Sequence, residues 1–300
     1  MKSVTKITLT DDNGIKFFGE GPCRLLRCVE KNGSLRAAAM EMEMAYSKAS
    51  KILKQAEENL GFPLTTRITG GKDGGGSVLT PEGMRMLQQY EAYRNACVQE
   101  NQKLFRQYFP AIGCVIMASG QGKRFGGNKL MADFHGKPMI QRALDATNGL
   151  FSKRVVVTRH ISVAELCREQ RVDVVLHDLP HRSDTVRLGL DALGALDACM
   201  FLPGDQPLLS RNTVDLLISA WKDNPDKIIR PAYEDSEGSP VVFPAWSFPE
   251  LRNLPVGKGG GAVIQNHSQD VCRVTISNPF ELADADTKES MELLKGLWHD

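Results

Sequence analysis

The sequence lacks the long apolar segments of a membrane protein. None of its apolar runs reaches the roughly 18 residues that a membrane-spanning helix needs, and its first residues lack the apolar core of a secretion signal. Its seven cysteines are an odd number and include no Cys-x-x-Cys pair, which argues against a disulfide framework or a zinc site. We therefore expect a cytoplasmic protein that makes no contact with a membrane and keeps its thiols reduced.

Composition and charge predict two different domains. With 42% hydrophobic and 24% charged residues over 300 positions, the chain has an ordinary globular composition and a length typical of about two domains. The net charge of +1 hides an asymmetry, because residues 1–110 carry 16 Lys and Arg against 12 Asp and Glu, whereas the remainder carries 21 against 24. The basic first part favours a polyanionic partner, and the second part must concentrate positive charge locally if it binds phosphates.

The second part has the pattern of an α/β domain. From Ile112 onward, apolar runs of strand length alternate with helix-like stretches, which is typical of βαβ units and a mostly parallel sheet. The predicted strands are Ile112–Ala118, Arg154–Thr158, Val172–Leu176, Ala198–Leu202 and Lys227–Arg230.

The first part contains two short helices at the spacing of a helix-turn-helix. Ser34 is placed to cap a helix that ends at Glu43, and a short turn leads into a second helix over Tyr46–Asn59. Alanine and leucine on the second helix recur at the spacing of an inward face, so its polar residues point where a duplex would lie. These polar residues are Ser47, Lys48, Lys51 and Lys54.

A predicted hairpin and a long helix follow. Two β-prone segments, Leu64–Ile68 and Ser77–Leu79, flank a glycine-rich turn, and Arg67 and Lys72 would lie against the backbone of a duplex. An amphipathic helix is then predicted over Pro81–Tyr108, with Thr80 as its cap. Its apolar stripe forms a dimer seam or packs on its own domain, and the pattern alone leaves both open.

The strings GSLRAAA (33–39), AYSKASKIL (45–53) and TGGKDGGGSVLTPEG (69–83) resemble the winged helix-turn-helix domain of ModE-type molybdate-responsive regulators, a relative of the LysR domain. The resemblance implies a DNA-binding domain at 1–110 and a homodimer joined by the helix at 81–109. The molybdate-binding domains usual after that helix are replaced by a different domain. An alternative is a winged helix that serves only for dimerisation or docking. The residues expected to contact duplex DNA are Ser47, Lys48, Lys51, Lys54, Arg67 and Lys72.

A glycine-rich basic segment follows the first predicted strand of the second part. Between Ser119 and Lys129, glycines at 120, 122, 126 and 127 let backbone N–H groups approach an anion, and Lys123 and Arg124 add positive charge to that of Lys129. The spacing is neither that of the P-loop nor Gly-x-Gly-x-x-Gly. We expect this segment to hold a triphosphate.

Acidic residues occupy two places suited to a divalent cation. Asp205 follows a buried strand, at the sheet edge where ligands bind in open α/β folds. Mg²⁺ prefers one or two carboxylates and completes its shell with water and phosphate oxygens. Asp284 and Asp286 could supply the second carboxylate, although Asp286 or Thr287 is equally well placed to cap the helix that follows.

Strings of the second part resemble the MocA and MobA nucleotidyltransferases of molybdenum cofactor biosynthesis, within the glycosyltransferase-A-like (Rossmann-like) α/β fold. The resemblance predicts that residues 111–300 form an NTP transferase domain, with Gly257–Gly261 in the place of a further family loop. The strings are MASGQGKRFGGNK (117–129), TVRLGL (185–190), LPGDQPLLS (202–210), GSPVVF (238–243) and DADT (284–287).

The resemblance implies that a phosphate of a molybdopterin-type acceptor attacks the α-phosphorus of CTP or GTP and expels pyrophosphate, with Mg²⁺ as cofactor. Catalytic roles then belong to Lys129, Arg124 and Asp205, and metal contacts to Asp205, Asp286 and Asp284. None of the six histidines receives a catalytic role. The residues expected at the nucleotide are Met117, Ala118, Ser119, Gly120, Gly122, Lys123, Thr185 and Arg187.

Two positions depart from the family pattern. Ser119 stands at the third loop position, where the cytidylyl branch has Ala and the guanylyl branch has Gly, and its volume resembles that of Ala, which favours CTP. Lys258 stands where the family usually has Asp, which reverses a charge that could bear on the acceptor. The alternatives are guanylyl transfer, transfer to another acceptor such as a sugar or polyol phosphate, and a regulator whose second domain only binds an effector.

Overall fold

The computed structural model describes residues 2–68 and 76–298. The chain divides into two compact units, Met1–Tyr108 and Phe109–Asp300, and each is described by itself. No helix within the described residues has the length and apolar character needed to cross a bilayer.

The N-terminal unit combines helices with two small hairpins. Strands β1 and β2 pair antiparallel, and so do β3 and β4. The elements in chain order are β1 (Thr8–Thr10), β2 (Lys16–Gly19), α1 (Glu20–Asn32), α2 (Leu35–Glu41), α3 (Tyr46–Leu60), β3 (Thr65–Ile68), β4 (Gly76–Leu79) and α4 (Pro81–Tyr108).

The helix-turn-helix forms where the sequence predicts it. The Ser34 hydroxyl accepts a hydrogen bond from the backbone N–H of Ala37 and thereby caps α2. On α3, Ala49 and Leu53 are buried, and with Ala56 they pack into the core of this unit. The first helix, α1, supplies a broader part of the same core through its leucines and buried cysteines.

Helix α4 packs into the core of its unit near its start. The Thr80 hydroxyl accepts a hydrogen bond from the backbone N–H of Gly83 at 2.8 Å, and Leu87 and Tyr90 are buried in the core of the unit. Beyond them the helix continues to Tyr108 with no fully buried residue. Tyr93, Leu104 and Tyr108 are all more than half exposed. Apolar side chains along the second half of α4 are therefore exposed to solvent within this unit.

The C-terminal unit is an α/β domain built on one large mixed sheet. Its elements are β5 (Ile112–Ala118), β6 (Asp133–Phe134), β7 (Lys137–Pro138), α5 (Ile140–Thr147), β8 (Lys153–Thr158), α6 (Ile161–Glu169), β9 (Asp173–Leu176), α7 (Arg182–Leu193), β10 (Ala198–Pro203), α8 (Arg211–Asp223), β11 (Ile228–Tyr233), β12 (Ser236–Glu237), β13 (Val241–Pro244), α9 (Phe248–Arg252), α10 (Gly261–Asn266), β14 (Val271–Thr275) and α11 (Lys288–Gly296).

The sheet order is β12-β11-β13-β10-β5-β8-β9, and β14 pairs with β11. Strands β10, β5, β8 and β9 are mutually parallel, whereas β13 is antiparallel to both of its neighbours. The carboxyl ends of β5, β8 and β10 therefore lie at one edge, which is where open α/β sheets bind ligands. This arrangement confirms the α/β fold that the sequence predicts.

Both faces of the sheet are covered by helices. Cys114 and Ile116 of β5 join a core formed with α5, α6, α8 and α11, whereas Val115 joins the core formed with α7, α9 and α10. This alternation follows from the two-residue period of a strand. Gly189 lets α7 approach closely, because a β-carbon there would lie 2.6 Å from methyl groups of Val115.

Candidate functional site

A cleft of about 790 Å³ opens at the carboxyl edge of the parallel strands. The loops after β5 and β10, the start of α7 and the segment before α11 all contribute to its walls. The predicted residues that line it are Met117, Ser119, Gly120, Gly122, Lys123, Arg124, Lys129, Thr185, Asp205, Asp284 and Asp286. Segments that are far apart in the sequence thus meet at one surface.

Lys129 joins the two acidic segments of the cleft. Its Nζ lies 2.5 Å from Asp205 Oδ2 and 2.7 Å from Asp286 Oδ1. The Lys129 side chain is only 8% exposed, whereas that of Asp286 is 49% exposed. A guanidinium nitrogen of Arg124 lies 3.5 Å from the other oxygen of Asp286. The floor of the cleft therefore holds an ammonium between two carboxylates.

These contacts shift the ionisation of both partners. Burial alone would lower the pKa of Lys129, but the negative charges and hydrogen bonds of Asp205 and Asp286 outweigh it and raise the pKa above its ordinary value. The hydrogen bond from Lys129 lowers the pKa of Asp286. Lys129 is therefore a cation, and Asp286 an anion, throughout the neutral range.

Asp284 takes a different position from its neighbour Asp286. Its Oδ1 accepts a hydrogen bond from the side-chain amide of Gln206 at 3.0 Å. Desolvation by the surrounding protein, together with the negative charge of Asp205, raises the pKa of Asp284. The backbone N–H of Ala285 also donates to the carbonyl of Asp205, at 2.9 Å. The acidic segment before α11 is thus fastened to the loop after β10.

The glycine-rich loop depends on close backbone approach. Gly122 has φ +59°, and a β-carbon at this residue would lie 2.2 Å from the carbonyl oxygen of Gly127, so no other residue fits without a shift. The carbonyl of Gly120 accepts a hydrogen bond from the His160 ring at 2.8 Å. The loop is therefore fixed both from within and by the residues that follow β8.

Ser119 is held from two sides. Its hydroxyl donates to the carbonyl of Val157 at 3.0 Å and lies 2.8 Å from Nε2 of His177. Because the hydroxyl has one proton, the His177 ring donates the second bond. His177 has no role in the sequence-based prediction, since its partner is distant along the chain.

Two residues expected at the nucleotide do not line the cleft. Ala118 is buried at the end of β5, where its carbonyl accepts a hydrogen bond from the Thr158 hydroxyl. Arg187 pairs with Asp184 one turn earlier on α7, at 3.4 Å. Residues two apart on a helix point in nearly opposite directions, so Arg187 cannot share the direction of Thr185, which does line the cleft.

Other residues of the cleft were missed by the sequence analysis. Arg159 follows β8, Arg182 begins α7 and Arg230 lies within β11. They stand in no common motif, and only the pairing of distant strands brings them together. These three arginines add positive charge to that of Lys123, Arg124 and Lys129.

On the N-terminal unit, the residues expected at DNA lie at the surface. Ser47, Lys48, Lys51, Lys54 and Arg67 are all exposed. Lys54 also forms an exposed pair with Glu58, 3.6 Å away, of the kind that contributes little. Lys72 lies outside the described residues.

Comparisons with protein families match more than half of the chain. Residues 114–271 match the MobA-like NTP transferase domain, and residues 23–84 match the bacterial regulatory helix-turn-helix protein, lysR family.

The chain is also similar to curated proteins and solved structures. It is 26% identical over 202 residues to 3-deoxy-manno-octulosonate cytidylyltransferase from Neisseria gonorrhoeae (strain NCCP11945), covering 57% of this chain and 79% of that protein. It is 38% identical over 68 residues to molybdenum-pterin-binding protein MopB from Rhodobacter capsulatus, covering 23% of this chain and 25% of that protein. The crystal structure of Rv0371c from Mycobacterium tuberculosis H37Rv has a TM-score of 0.56 at 21% identity, covering 62% of this chain and 98% of that one. That last likeness shows the fold alone.

Proposed function

The chain belongs to the MobA-like NTP transferase family, and from this premise we propose that it transfers CMP from CTP to a molybdopterin-type phosphate acceptor. Pyrophosphate is the second product. The N-terminal unit, a LysR-type helix-turn-helix, binds duplex DNA and connects the enzyme to transcription.

The main support for nucleotidyl transfer is the pair of contacts that Lys129 makes with Asp205 and Asp286, beside the glycine-rich loop. A triphosphate needs cations and backbone N–H groups at its phosphates, and the loop offers both. Lys123 and Arg124 flank the same cleft. Phosphoryl chemistry needs positioning and charge neutralisation more than a nucleophilic side chain, so this set supports nucleotidyl transfer.

In the proposed reaction, side chains of this protein bind the reactants and form no covalent bond with them. An oxygen of the acceptor phosphate forms a bond to the α-phosphorus of CTP, and the bond from that phosphorus to the bridging oxygen of the β-phosphate breaks. The electron pair leaves with pyrophosphate. Lys129, Arg124 and Lys123 neutralise the charge that accumulates on the phosphate oxygens.

The donor set also fits Mg²⁺. In the described part of the chain, no group of three or more His, Cys, Asp or Glu side chains is arranged as a metal cage. Mg²⁺ does not need one, because it takes one or two carboxylates and fills its shell with water and phosphate oxygens. Asp205 and Asp286 both contact the Lys129 ammonium, so their two carboxylates lie close enough to share one cation, and Mg²⁺ would take the place of that ammonium. We assign them to Mg²⁺, with Asp284 as a further ligand, and the ion would supply charge neutralisation at the triphosphate.

The choice of CTP rests on Ser119 and on a relative. Ser119 carries a β-carbon at the loop position where a larger base requires glycine, and its hydroxyl is bonded to Val157 and His177. The Neisseria relative is named a cytidylyltransferase. Both observations support a cytidine nucleotide.

Two similarities support a molybdopterin-type acceptor. The sequence strings of the second part resemble molybdenum cofactor nucleotidyltransferases, and the 68-residue match to MopB supports a molybdenum context. A sugar-acid acceptor is a second candidate, because the Neisseria relative is named for 3-deoxy-manno-octulosonate.

The proposal is tested by pyrophosphate release from the full chain with Mg²⁺, each of the four nucleoside triphosphates in turn, and either molybdopterin or 3-deoxy-manno-octulosonate. We expect release with CTP and molybdopterin above all other pairs. Release with GTP would make the protein a guanylyltransferase, and release with the sugar acid would change the acceptor. Nucleotide binding without release under any pair would leave the effector-binding regulator.

A further inference from the structure

Ser119 differs by one hydroxyl from the alanine that the cytidylyl branch has at this loop position. The residue lines the cleft, where the proposed function places the base of CTP. A hydroxyl that faces this space is hydrated in the free protein and must lose its water when the base enters, which weakens binding. The direction in which the hydroxyl is bound therefore determines whether serine can serve in place of alanine.

The hydroxyl of Ser119 is bound by two residues outside the cleft. It donates to the carbonyl of Val157 at 3.0 Å and lies 2.8 Å from Nε2 of His177. Val157 lies in β8 and is fully buried, and His177 follows β9. Among the described residues, those that line the cleft include neither Val157 nor His177. The hydroxyl is therefore bound on the side of the neighbouring strands.

The ring of His177 is held in place by contacts of its own segment. The backbone N–H of His177 donates to the carbonyl of Thr158, the last residue of β8, at 3.0 Å. Two residues further on, the carbonyl of Leu179 accepts a hydrogen bond from the Arg159 guanidinium at 2.6 Å. The segment after β9 is thus fastened to the end of β8 at two points. The ring occupies its position before a nucleotide binds, which is the condition for preorganisation.

Loss of the ring would leave the Ser119 hydroxyl with the Val157 bond alone. A serine hydroxyl has one donor and two acceptor lone pairs, and the His177 ring supplies the donor to its oxygen. An apolar side chain at position 177 would leave that oxygen without a donor, and an unpaired polar atom in a partly buried position is unfavourable. Rotation toward the water of the cleft relieves this cost and brings the hydroxyl into the space of the base.

We infer that His177 is a positioning residue of the nucleotide site, which holds the Ser119 hydroxyl away from the base and so allows serine to act as alanine does. This inference rests on the proposed placement of the base of CTP at Ser119. His177 acts through Ser119 and does not itself contact the nucleotide. A serine at this loop position therefore requires a donor at position 177, whereas an alanine does not.

Calorimetric titration of CTP with Mg²⁺ into the full chain tests this inference without turnover. We expect the CTP affinity to fall about tenfold in His177→Leu, because the released hydroxyl must be desolvated when the base binds. Ser119→Ala should bind CTP as the unaltered protein does. The double variant, His177→Leu with Ser119→Ala, should recover that affinity, since no hydroxyl remains to be held. A merely structural role of the ring would give no such recovery.

His160→Leu is the matched control. The His160 ring bonds to the carbonyl of Gly120 at 2.8 Å, so it holds the next residue of the same loop but binds no hydroxyl. Any loss of CTP affinity in His160→Leu should therefore persist when Ser119→Ala is added. Urea unfolding shows whether each variant is folded. If His177→Leu does not fold, His177→Met, which also lacks a donor, takes its place in the same set of titrations.

Recovery in the double variant, without recovery in the control pair, supports the inference. Unchanged CTP affinity in His177→Leu overturns it, and so does a double variant that binds CTP as weakly as His177→Leu. Recovery in the control pair as well would show a general effect of Ser119→Ala and also overturn it, as would an unaltered protein that takes up no CTP. Failure of the proposed function is a separate result, in which CTP binds to the unaltered protein but no pyrophosphate is released.

Discussion

Ser119 and His177 are joined by a hydrogen bond of 2.8 Å between the hydroxyl and Nε2 of the ring, although 58 positions separate them. Burial and the positive charge of Arg159 lower the pKa of His177, so the ring is neutral at pH 7 and donates through Nε2. The serine hydroxyl is therefore committed to Val157 and His177. What Ser119 offers to a base is volume, as alanine would.

Replacing Ser119 should change the nucleotide preference according to volume. We expect Ser119→Ala to keep a preference for CTP, and Ser119→Gly to move the preference toward GTP because the β-carbon is gone. Calorimetric affinities for both nucleotides give the measurement. Tighter binding of GTP than of CTP by the unaltered protein would contradict the volume argument.

Asp205→Asn should abolish Mg²⁺-dependent transfer and leave the fold intact, because Asp205 lies beyond the end of a strand and lines the cleft. Loss of a metal-held charge removes several kcal/mol of transition-state stabilisation, on the order of a hundredfold or more in rate. Asp215→Asn on the exposed side of α8 is the control and should keep its rate. A rate for Asp205→Asn within about threefold of the unaltered protein would show that the metal site lies elsewhere.

Lys129→Met should destabilise the C-terminal unit in a pH-dependent way. The change leaves Asp205 without the ammonium that it contacts and Asp286 with only its longer contact to Arg124. The cost at neutral pH should be about 2 kcal/mol, between values for buried and exposed pairs, because Asp286 is half exposed. Because the pKa of Asp286 is lowered from its ordinary value of 3.8, this residue stabilises the fold above pH 3.8. That stability is lost as the pH falls through the pKa of Asp286 in the folded protein. Because the pKa of Lys129 is raised from its ordinary value of 10.5, its stabilising contribution is complete below pH 10.5. That contribution is lost as the pH rises through the pKa of Lys129 in the folded protein.

Urea unfolding followed by tryptophan fluorescence measures that difference, since all three tryptophans lie in the C-terminal unit. The difference in free energy of unfolding between Lys129→Met and the unaltered protein should therefore be largest between pH 3.8 and pH 10.5. A gap that stays constant from acid to alkaline pH would show that Lys129 stabilises through packing alone.

Lys48→Gln and Lys51→Gln should each weaken DNA binding uniformly across sequences. Each exposed lysine that contacts a phosphate releases a counterion, so its removal lowers the slope of log affinity against log salt by about one. Lys103→Gln on α4, where the lysine is paired with Glu100, is the control and should keep the slope. Unchanged slopes in all three variants would favour a winged helix that serves only for docking.

The fold could be read largely from the sequence because its signals are local. The span Ile112–Ala118 was predicted to the residue, and Thr80 and Ser34 cap the helices that they were expected to cap. The hairpin of β1 and β2 and the parallel pairing of β14 with β11 were not predicted, since neither leaves a pattern within its own segment.

The site was predictable only where a motif is continuous. The glycine-rich loop, Asp205 and the Asp284–Asp286 segment lie in contiguous strings, and the structure brings them to one cleft. Arg159, Arg182 and Arg230 reach it from separate elements, so only tertiary structure reveals them. Arg187 is expected at the nucleotide from its motif, but it does not line the cleft and pairs with Asp184 instead.

The most direct test of nucleotidyl transfer follows the phosphorus atoms of CTP. The full chain is incubated with Mg²⁺, molybdopterin and CTP radiolabelled at either the α-phosphate or the γ-phosphate, and the products are separated. We predict that the α-label appears in the pterin product and the γ-label in pyrophosphate. An α-label found only in free CMP, or retained in CTP, would contradict the account.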